Sequence, residues 1–199
     1  MPRLPSLRTP RLLLRPIAPA DAGWFAEMLA DPDVKRLTLE AALPAAEAAR
    51  VAPFLVWLHA RRAYWAITLA GEGDDGGEPC GFICLTQTGQ LGPRGAYAGF
   101  ELRRAFWGRG IATEALNAVV ECGFDFFGLD AIRATVIHGN AASARVLDKC
   151  GLKRGGEQML RGGKASSWYV LPRRQTGREP VRGFRIRCRQ AWLAWRLLL

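Results

Sequence analysis

Residues 96–127 constrain the fold more than any other stretch of this chain. An apolar run from Ala96 to Leu102 leads into Trp107-Gly108-Arg109-Gly110, and then into one long amphipathic pattern. Ile111, Ala112, Ala115, Leu116, Val119, Val120, Phe124 and Phe127 recur at 3.6-residue spacing. That spacing predicts a helix from Ile111 to Phe127 with one buried face, stopped by Gly128. Entry through two glycines leaves the first helical N–H groups without intrahelical acceptors. The positive end of the helix dipole falls at the same place. The missing Cβ atoms let a ligand approach the backbone. Arg103, Arg104 and Arg109 flank the turn. Such a loop suits an anion, a phosphate or pyrophosphate. It equally suits a tight turn that needs glycine for steric reasons alone, and the residues leave both readings open. No G-K-[ST] follows, so this is not a Walker loop. No G-x-G-x-x-G is present, which argues against a Rossmann site.

Around this segment the periodicity predicts a strand over Arg11–Arg15, a helix from Pro19 or Asp21 to Ala30 ended by Asp31-Pro32, and a second helix over Pro44–Arg61. Strands follow at Ala63–Leu69, Cys80–Gln87 and Ala96–Leu102, the first two joined by the acidic, glycine-rich residues 71–78. After the long helix come a strand at Ala131–Ile137, a helix at Ala141–Cys150, and strands at Leu152–Glu157 and Lys164–Leu171. The order β-α-α-β-β-β-α-β-α-β-β predicts an α+β fold: a mixed, mostly antiparallel central sheet with helices on both faces. A 199-residue chain suits one domain of this kind, here residues 1–172, with residues 173–199 as a tail.

Charge separates the two parts. The net charge of +10 looks like a nucleic-acid signal until it is located. The tail holds eight arginines and one glutamate, so +7 of it lies there; residues 1–172 carry only +3 and no basic stripe with interleaved aromatics. No nucleic-acid partner is expected. In the tail, Phe184, Cys188, Ala191, Trp192, Trp195 and Leu199 recur at helical spacing with arginines off the stripe. This predicts a basic amphipathic helix that docks on the domain or on a second copy in a homodimer, or lies on an anionic membrane surface. Five cysteines without a C-x-x-C pair and only two histidines argue against a metal site and against a disulfide framework. With no apolar segment long enough for a signal peptide or a span, the expected compartment is the cytoplasm.

Three stretches together resemble the GNAT superfamily of N-acetyltransferases, in its RimJ/RimL-like group. They are Leu7-Arg8-Thr9-Pro10-Arg11-Leu12-Leu13-Leu14-Arg15-Pro16 with Ala20-Asp21-Ala22, Phe106 to Ala115, and Asn140 to Leu152. The similarity spans roughly residues 7–172, in the family's order. It implies transfer of an acetyl group from acetyl-CoA, as cosubstrate and without a metal, to a primary amine: a protein N-terminus or a small amine. The alternative is a coenzyme-binding sensor or interaction module of the same fold without turnover.

The resemblance also implies roles. Trp107, Gly108, Arg109, Gly110, Ile111, Ala112 and Thr113 form the pyrophosphate loop, and Trp107 stands where the wider superfamily has Gln or Arg. The strand ending Gly99-Phe100-Glu101-Leu102 splays from the strand Ala131–Ile137 to admit the pantetheine arm. Backbone N–H groups of Phe100 and Leu102 then polarise the thioester oxygen. Glu101 is the first candidate for the base that takes the ammonium proton, or else a solvated partner of Arg103 or Arg104; His138 is the second. Asn140 binds pantetheine amides or caps the following helix. Arg145 and Lys149, four apart on that helix, meet coenzyme phosphates or water. Many superfamily members carry a Tyr seven residues after this Asn as acid for the leaving thiolate. Here that position is Leu147; the hydroxyl of Ser143, one helical turn after Asn140 as in the RimJ/RimL-like group, is the candidate donor on that side or else a solvated helix residue, and Tyr169 of the last strand reaches the site or is a core aromatic.

Overall fold

The computed structural model describes residues 4–38, 40–60, 62–71, 76–87, 91–92, 94–160 and 162–173, and the backbone of 185–186. In chain order the elements are β1 (Leu7–Arg8), β2 (Leu12–Pro16), α1 (Ala22–Ala30), α2 (Pro32–Lys35), α3 (Ala45–His59), β3 (Ala63–Leu69), β4 (Pro79–Thr86) and β5 (Gly95–Leu102). They continue with α4 (Ile111–Glu121), β6 (Ala131–Ile137), α5 (Ala141–Lys149), β7 (Lys153–Met159), β8 (Ala165–Pro172) and β9 (Arg185–Ile186). The strands form one sheet in the order β7-β8-β6-β5-β4-β3-β2-β1-β9. Every described pairing is antiparallel except β5 with β6. This is the expected mixed α+β sheet.

Strand alternation splits the sheet's side chains between two cores. Trp65, Ile67, Ile83, Leu85, Ile132 and Val136 face one way and pack with Ile111, Ala115, Leu116 and Val119 of α4 and Leu147 of α5. Tyr64, Ala66 and Phe82 face the other way, against Trp24, Phe25 and Met28 of α1 and Ala48, Ala52 and Val56 of α3. Helices therefore cover both faces.

Three elements differ from the periodicity. Thr9 makes a tight turn, its Oγ1 accepting from the Leu12 N–H at 3.0 Å, and this adds β1 ahead of the first expected strand. Asp31-Pro32 ends α1 and also starts α2. The Asp31 carboxylate accepts from the N–H groups of Asp33 (2.8 Å) and Val34 (3.3 Å), and Pro32 sits in the first turn. The long helix keeps α geometry only to Glu121, and Cys122–Phe126 form a π turn. A Cβ at Gly123 would lie 2.8 Å from Ile132 Cδ1, so the backbone presses onto β6 where the turn widens.

Two residues of the tail pair with β1, Leu7 opposite Ile186 and Arg8 opposite Arg185, so the chain there is extended rather than helical. The rest of the expected amphipathic helix lies outside the described residues. Among the described residues, no helix is long and apolar enough to cross a membrane.

The feature that makes a site is the divergence of β5 from β6. Their parallel pairing covers only Gly95–Ala131, Ala96–Ile132 and Tyr97–Arg133. Beyond it β5 stays on β4 as far as Leu102, and β6 stays on β8 as far as Ile137.

Candidate active site

Four segments meet at this opening: the end of β5, the turn into α4, the start of α5 and helix α2. Successive N–H groups along a strand point to opposite sides. The Arg103 N–H donates to Cys80 O of β4 at 2.8 Å. The N–H groups of Leu102 and Phe100 therefore point away from β4, toward the side that β6 has left. The Leu102 carbonyl on that side accepts from Trp107 Nε1 at 2.8 Å, so the indole braces the strand end while 43% of its residue surface stays exposed.

The turn has the geometry the glycines suggested. Gly108 (φ +73°) and Gly110 (φ +76°) both lie in the left-handed region. Gly110 caps α4 with no side-chain hydrogen bond, leaving the first-turn N–H groups uncapped by any side chain. The Ile111 and Ala112 side chains are buried in the core, so at these two positions the backbone is what the turn offers to an anion.

The expected bracket of three arginines is only partly there. Arg103 donates to Glu27 (3.0 Å) and to Pro79 O (2.9 Å), and Arg104 donates to Asp33 (2.6 Å). Arg109 stays at the turn, its guanidinium 5.5 Å from the Phe106 ring centroid. A residue that spacing did not single out holds the turn instead. Arg11 donates through Nη1 to Arg109 O at 3.0 Å and through Nε to Glu114 at 2.6 Å, while Thr9 Oγ1 donates to Glu114 at 2.6 Å. These bonds lower the Glu114 carboxyl against the opposing effect of its burial.

Glu101 has neither of its expected arginine partners. Its carboxylate accepts from Lys35 Nζ at 2.9 Å, and the two side chains are 19% and 3% exposed. Lys35 also reaches Glu40 at 3.4 Å. Burial pushes the Glu101 carboxyl up and Glu40 adds to the push; Lys35 pulls it back without cancelling the rise. Nothing in residues 36–40 announced Lys35. The signal was one element earlier, in Asp31-Pro32-Asp33, which is a helix start as well as a stop.

Beside Glu101 lies an aromatic shelf. Phe82 is opposite Glu101 in the β4–β5 register, and its ring is 6.0 Å from that of Tyr64, which stacks on His59 at 4.1 Å and 10°. Burial first, then Arg62 and Lys35, hold His59 below the ordinary imidazole range against Glu40; its Nδ1 is buried without a hydrogen bond.

On the far side of the opening, Asn140 Oδ1 accepts from the Ser143 N–H at 3.0 Å and caps α5, while Nδ2 donates to Leu37 O at 3.4 Å. The capping reading holds, and the amide also ties down the segment after α2. Lys164 adds a second tie, donating to Thr38 O at 2.7 Å. Ser143 is half-buried in the first turn of α5, and Arg145 is exposed on the same helix. Leu147 is fully buried in the main core and Tyr169 packs there too. His138 lies against Ser167 (3.4 Å) and Glu157 (3.9 Å). Among the described residues no three His, Cys, Asp or Glu side chains gather as a metal would require.

The comparisons with known proteins agree with this geometry. The family described as the acetyltransferase (GNAT) domain matches residues 11–153. The uncharacterized N-acetyltransferase YoaA of Bacillus subtilis (strain 168) is 32% identical over 155 residues, 76% of this chain and 85% of that protein. A solved GNAT acetyltransferase from Bacillus anthracis superposes with a TM-score of 0.73 at 23% identity, covering 84% of this chain and 98% of its own. RimJ of Mycobacterium smegmatis, solved with CoA-disulfide, gives 0.71 at 24% identity and covers 87% and 88%. With its diverging β5 and β6 and its two-glycine entry to α4, the chain belongs to the GNAT acetyltransferase family.

Proposed function

We infer that the protein moves an acetyl group from acetyl-CoA to a primary amine, a protein N-terminus or a small amine, by direct attack on the thioester. The observation that carries this reading is the juxtaposition at the end of β5. A buried carboxylate with a raised pKa, Glu101, lies on the strand whose Phe100 and Leu102 N–H groups face the opening left by β6. Bound acetyl-CoA supplies the activated acetyl group. The chain supplies the rest. The N–H groups at the start of α4 and of the Gly108–Gly110 turn receive the pyrophosphate, with Arg109 and Arg145 near its charge. The N–H groups of Phe100 and Leu102 face developing negative charge on the carbonyl oxygen. Glu101 takes a proton from the incoming ammonium, and the neutral amine this leaves attacks the thioester carbon. Ser143 donates toward the leaving sulfur, since Leu147 is sealed in the core. The RimJ/RimL-like placement draws on the opening strand motif and on the RimJ fold match. Cys80, Cys84 and Cys122 are free, buried thiols, which suits a reducing cytoplasm.

Thermal unfolding with acetyl-CoA tests this reading first. At about 100 times its Kd the ligand adds about 2.7 kcal/mol, a rise of roughly 5–11 °C for a chain of this size. CoA should act similarly and ATP should not. No rise with either coenzyme form sinks the reading. A rise without acetylation of any amine in a broad panel favours the sensor alternative.

Substitution of the turn glycines gives a sharper test. Gly108→Ala meets nothing within 4 Å, so its effect is purely conformational. At a positive φ an added Cβ costs about 1–2 kcal/mol. The expected outcome is a midpoint lowered by a few degrees together with a weaker response to acetyl-CoA. An unchanged response would remove the turn from the coenzyme site.

A further inference from the structure

The charges around Glu101 are arranged in a way that limits what can sit beside it. Two carboxylates face this space, Glu101 and the largely exposed Glu40, and both are engaged by Lys35, at 2.9 and 3.4 Å. Lys35 is 3% exposed, so its ammonium is a fixture of the site rather than a surface group. Further cations stand near. Arg62, like Lys35, disfavours a charged His59 on the aromatic shelf, and Lys164 donates to Thr38 O, three residues on from Lys35. An acceptor with one amino group needs only the Glu101 carboxylate. An acceptor with a second ammonium needs a second carboxylate, and it finds Lys35 between the two that are present. A like charge next to a fixed, poorly hydrated ammonium is strongly disfavoured. The half-buried ring of Phe82, opposite Glu101 in the register of the sheet, continues into those of Tyr64 and His59 and offers a surface for a flat apolar body.

We propose that Lys35 is the specificity-determining residue of the acceptor side: seated between Glu101 and Glu40, it selects acceptors with a single amino group and an apolar or aromatic body, and rejects polyamines. This rests on the acetyl-transfer reading of the site and narrows its substrate class. Lys35 is a positioning and selecting residue that acts through Glu101 and through the like charge it presents.

The test is calorimetric titration of the full chain, in excess CoA so that no turnover occurs, with 2-phenylethylamine and with 1,4-diaminobutane. The wild type is expected to bind the monoamine about tenfold or more tightly than the diamine. Lys35→Met should bring the two affinities together, Lys35→Arg should keep them apart, and Glu40→Gln, at an exposed position, should widen the gap. Equal binding of both amines by the wild type overturns the proposal. So does failure to bind the monoamine, or a gap unchanged in Lys35→Met. Should Lys35→Met fail to fold, the wild-type comparison and Glu40→Gln still decide. A parallel assay of CoA release from acetyl-CoA separates the two readings. Selective binding without acetylated product keeps the selectivity and removes the acetyl transfer. Equal acetylation of both amines does the reverse.

Discussion

Glu101→Gln should lower kcat/KM for amine acetylation by about 10²- to 10⁴-fold, the range a positioned general base contributes. Glutamine keeps the shape and still accepts a hydrogen bond from Lys35, but it takes no proton. Two further readouts separate this role from a structural one. The midpoint response to acetyl-CoA should be retained, because the proposed function puts the carboxylate on the amine side and assigns the coenzyme to the turn and strand backbone. The pH profile should change as well. Burial raises the Glu101 carboxyl above the ordinary glutamate range. Below that raised pKa the group is protonated and the wild-type rate falls, so the acid limb of kcat/KM should lie above the pH at which an exposed glutamate would titrate. The limb belongs to Glu101 and should vanish in Glu101→Gln. A variant with wild-type kcat/KM across the pH range would transfer the base role elsewhere. His138, which lies against Ser167 and Glu157, is then the next residue to substitute.

The largest stability effect is expected at Asp21, far from the chemistry. Its carboxylate is 2% exposed and accepts from Arg15 Nη1 and Nη2, both at 2.7 Å, from Trp24 Nε1 at 2.8 Å and from the Ala18 N–H at 2.7 Å. Asp21→Ala leaves the Arg15 guanidinium, itself only 17% exposed, without that partner. Removing one member of a buried ion pair costs about 3–5 kcal/mol, which for this chain length lowers the midpoint by roughly 6–20 °C. The surface pair Arg94–Asp130, with side chains 62% and 55% exposed, sets the contrast: Arg94→Ala should cost less than about 1 kcal/mol. Burial alone would raise the Asp21 carboxyl, but the bonds from Arg15, Trp24 and Ala18 outweigh it and hold it below the ordinary range. A lowered folded-state pKa contributes stability that is fully present above the unfolded pKa of about 3.9 and is lost as the pH falls through the folded value. Asp21→Ala should therefore lose more at pH 7 than at pH 2, and the gap between variant and wild type should narrow on acidification. Chemical denaturation at the two pH values checks this.

Much of this protein follows from the order of its residues. The periodicity of Ile111, Ala115, Leu116 and Val119 places α4. The alternation of Trp65, Ile67 and Ile83 with Tyr64, Ala66 and Phe82 decides which face of the sheet each helix covers. Glycine at 108 and 110 marks the turn, because positive φ there excludes other residues at low cost. These features are local. Helix and strand periods, caps and turn conformations depend on neighbours a few positions away, so they can be read along the chain.

The ion pairs and side-chain hydrogen bonds that shape the site are not local. Lys35 and Glu101 are 66 residues apart, Thr9 and Glu114 are 105 apart, and Lys164 reaches Thr38 across 126 positions. Sequence proximity suggested Arg103 or Arg104 for Glu101. Those two arginines lie past the end of β5, where the chain turns, and their guanidinium groups go to Glu27, Pro79 and Asp33 instead, while the capped turn of α2 brings Lys35 to the carboxylate. The sequence by itself determined the fold, the turn and the residue types available at the end of β5. Only the tertiary structure decided which charges face one another there. A charge has no period, and its partner is chosen by whichever elements the packed core brings within a few ångströms.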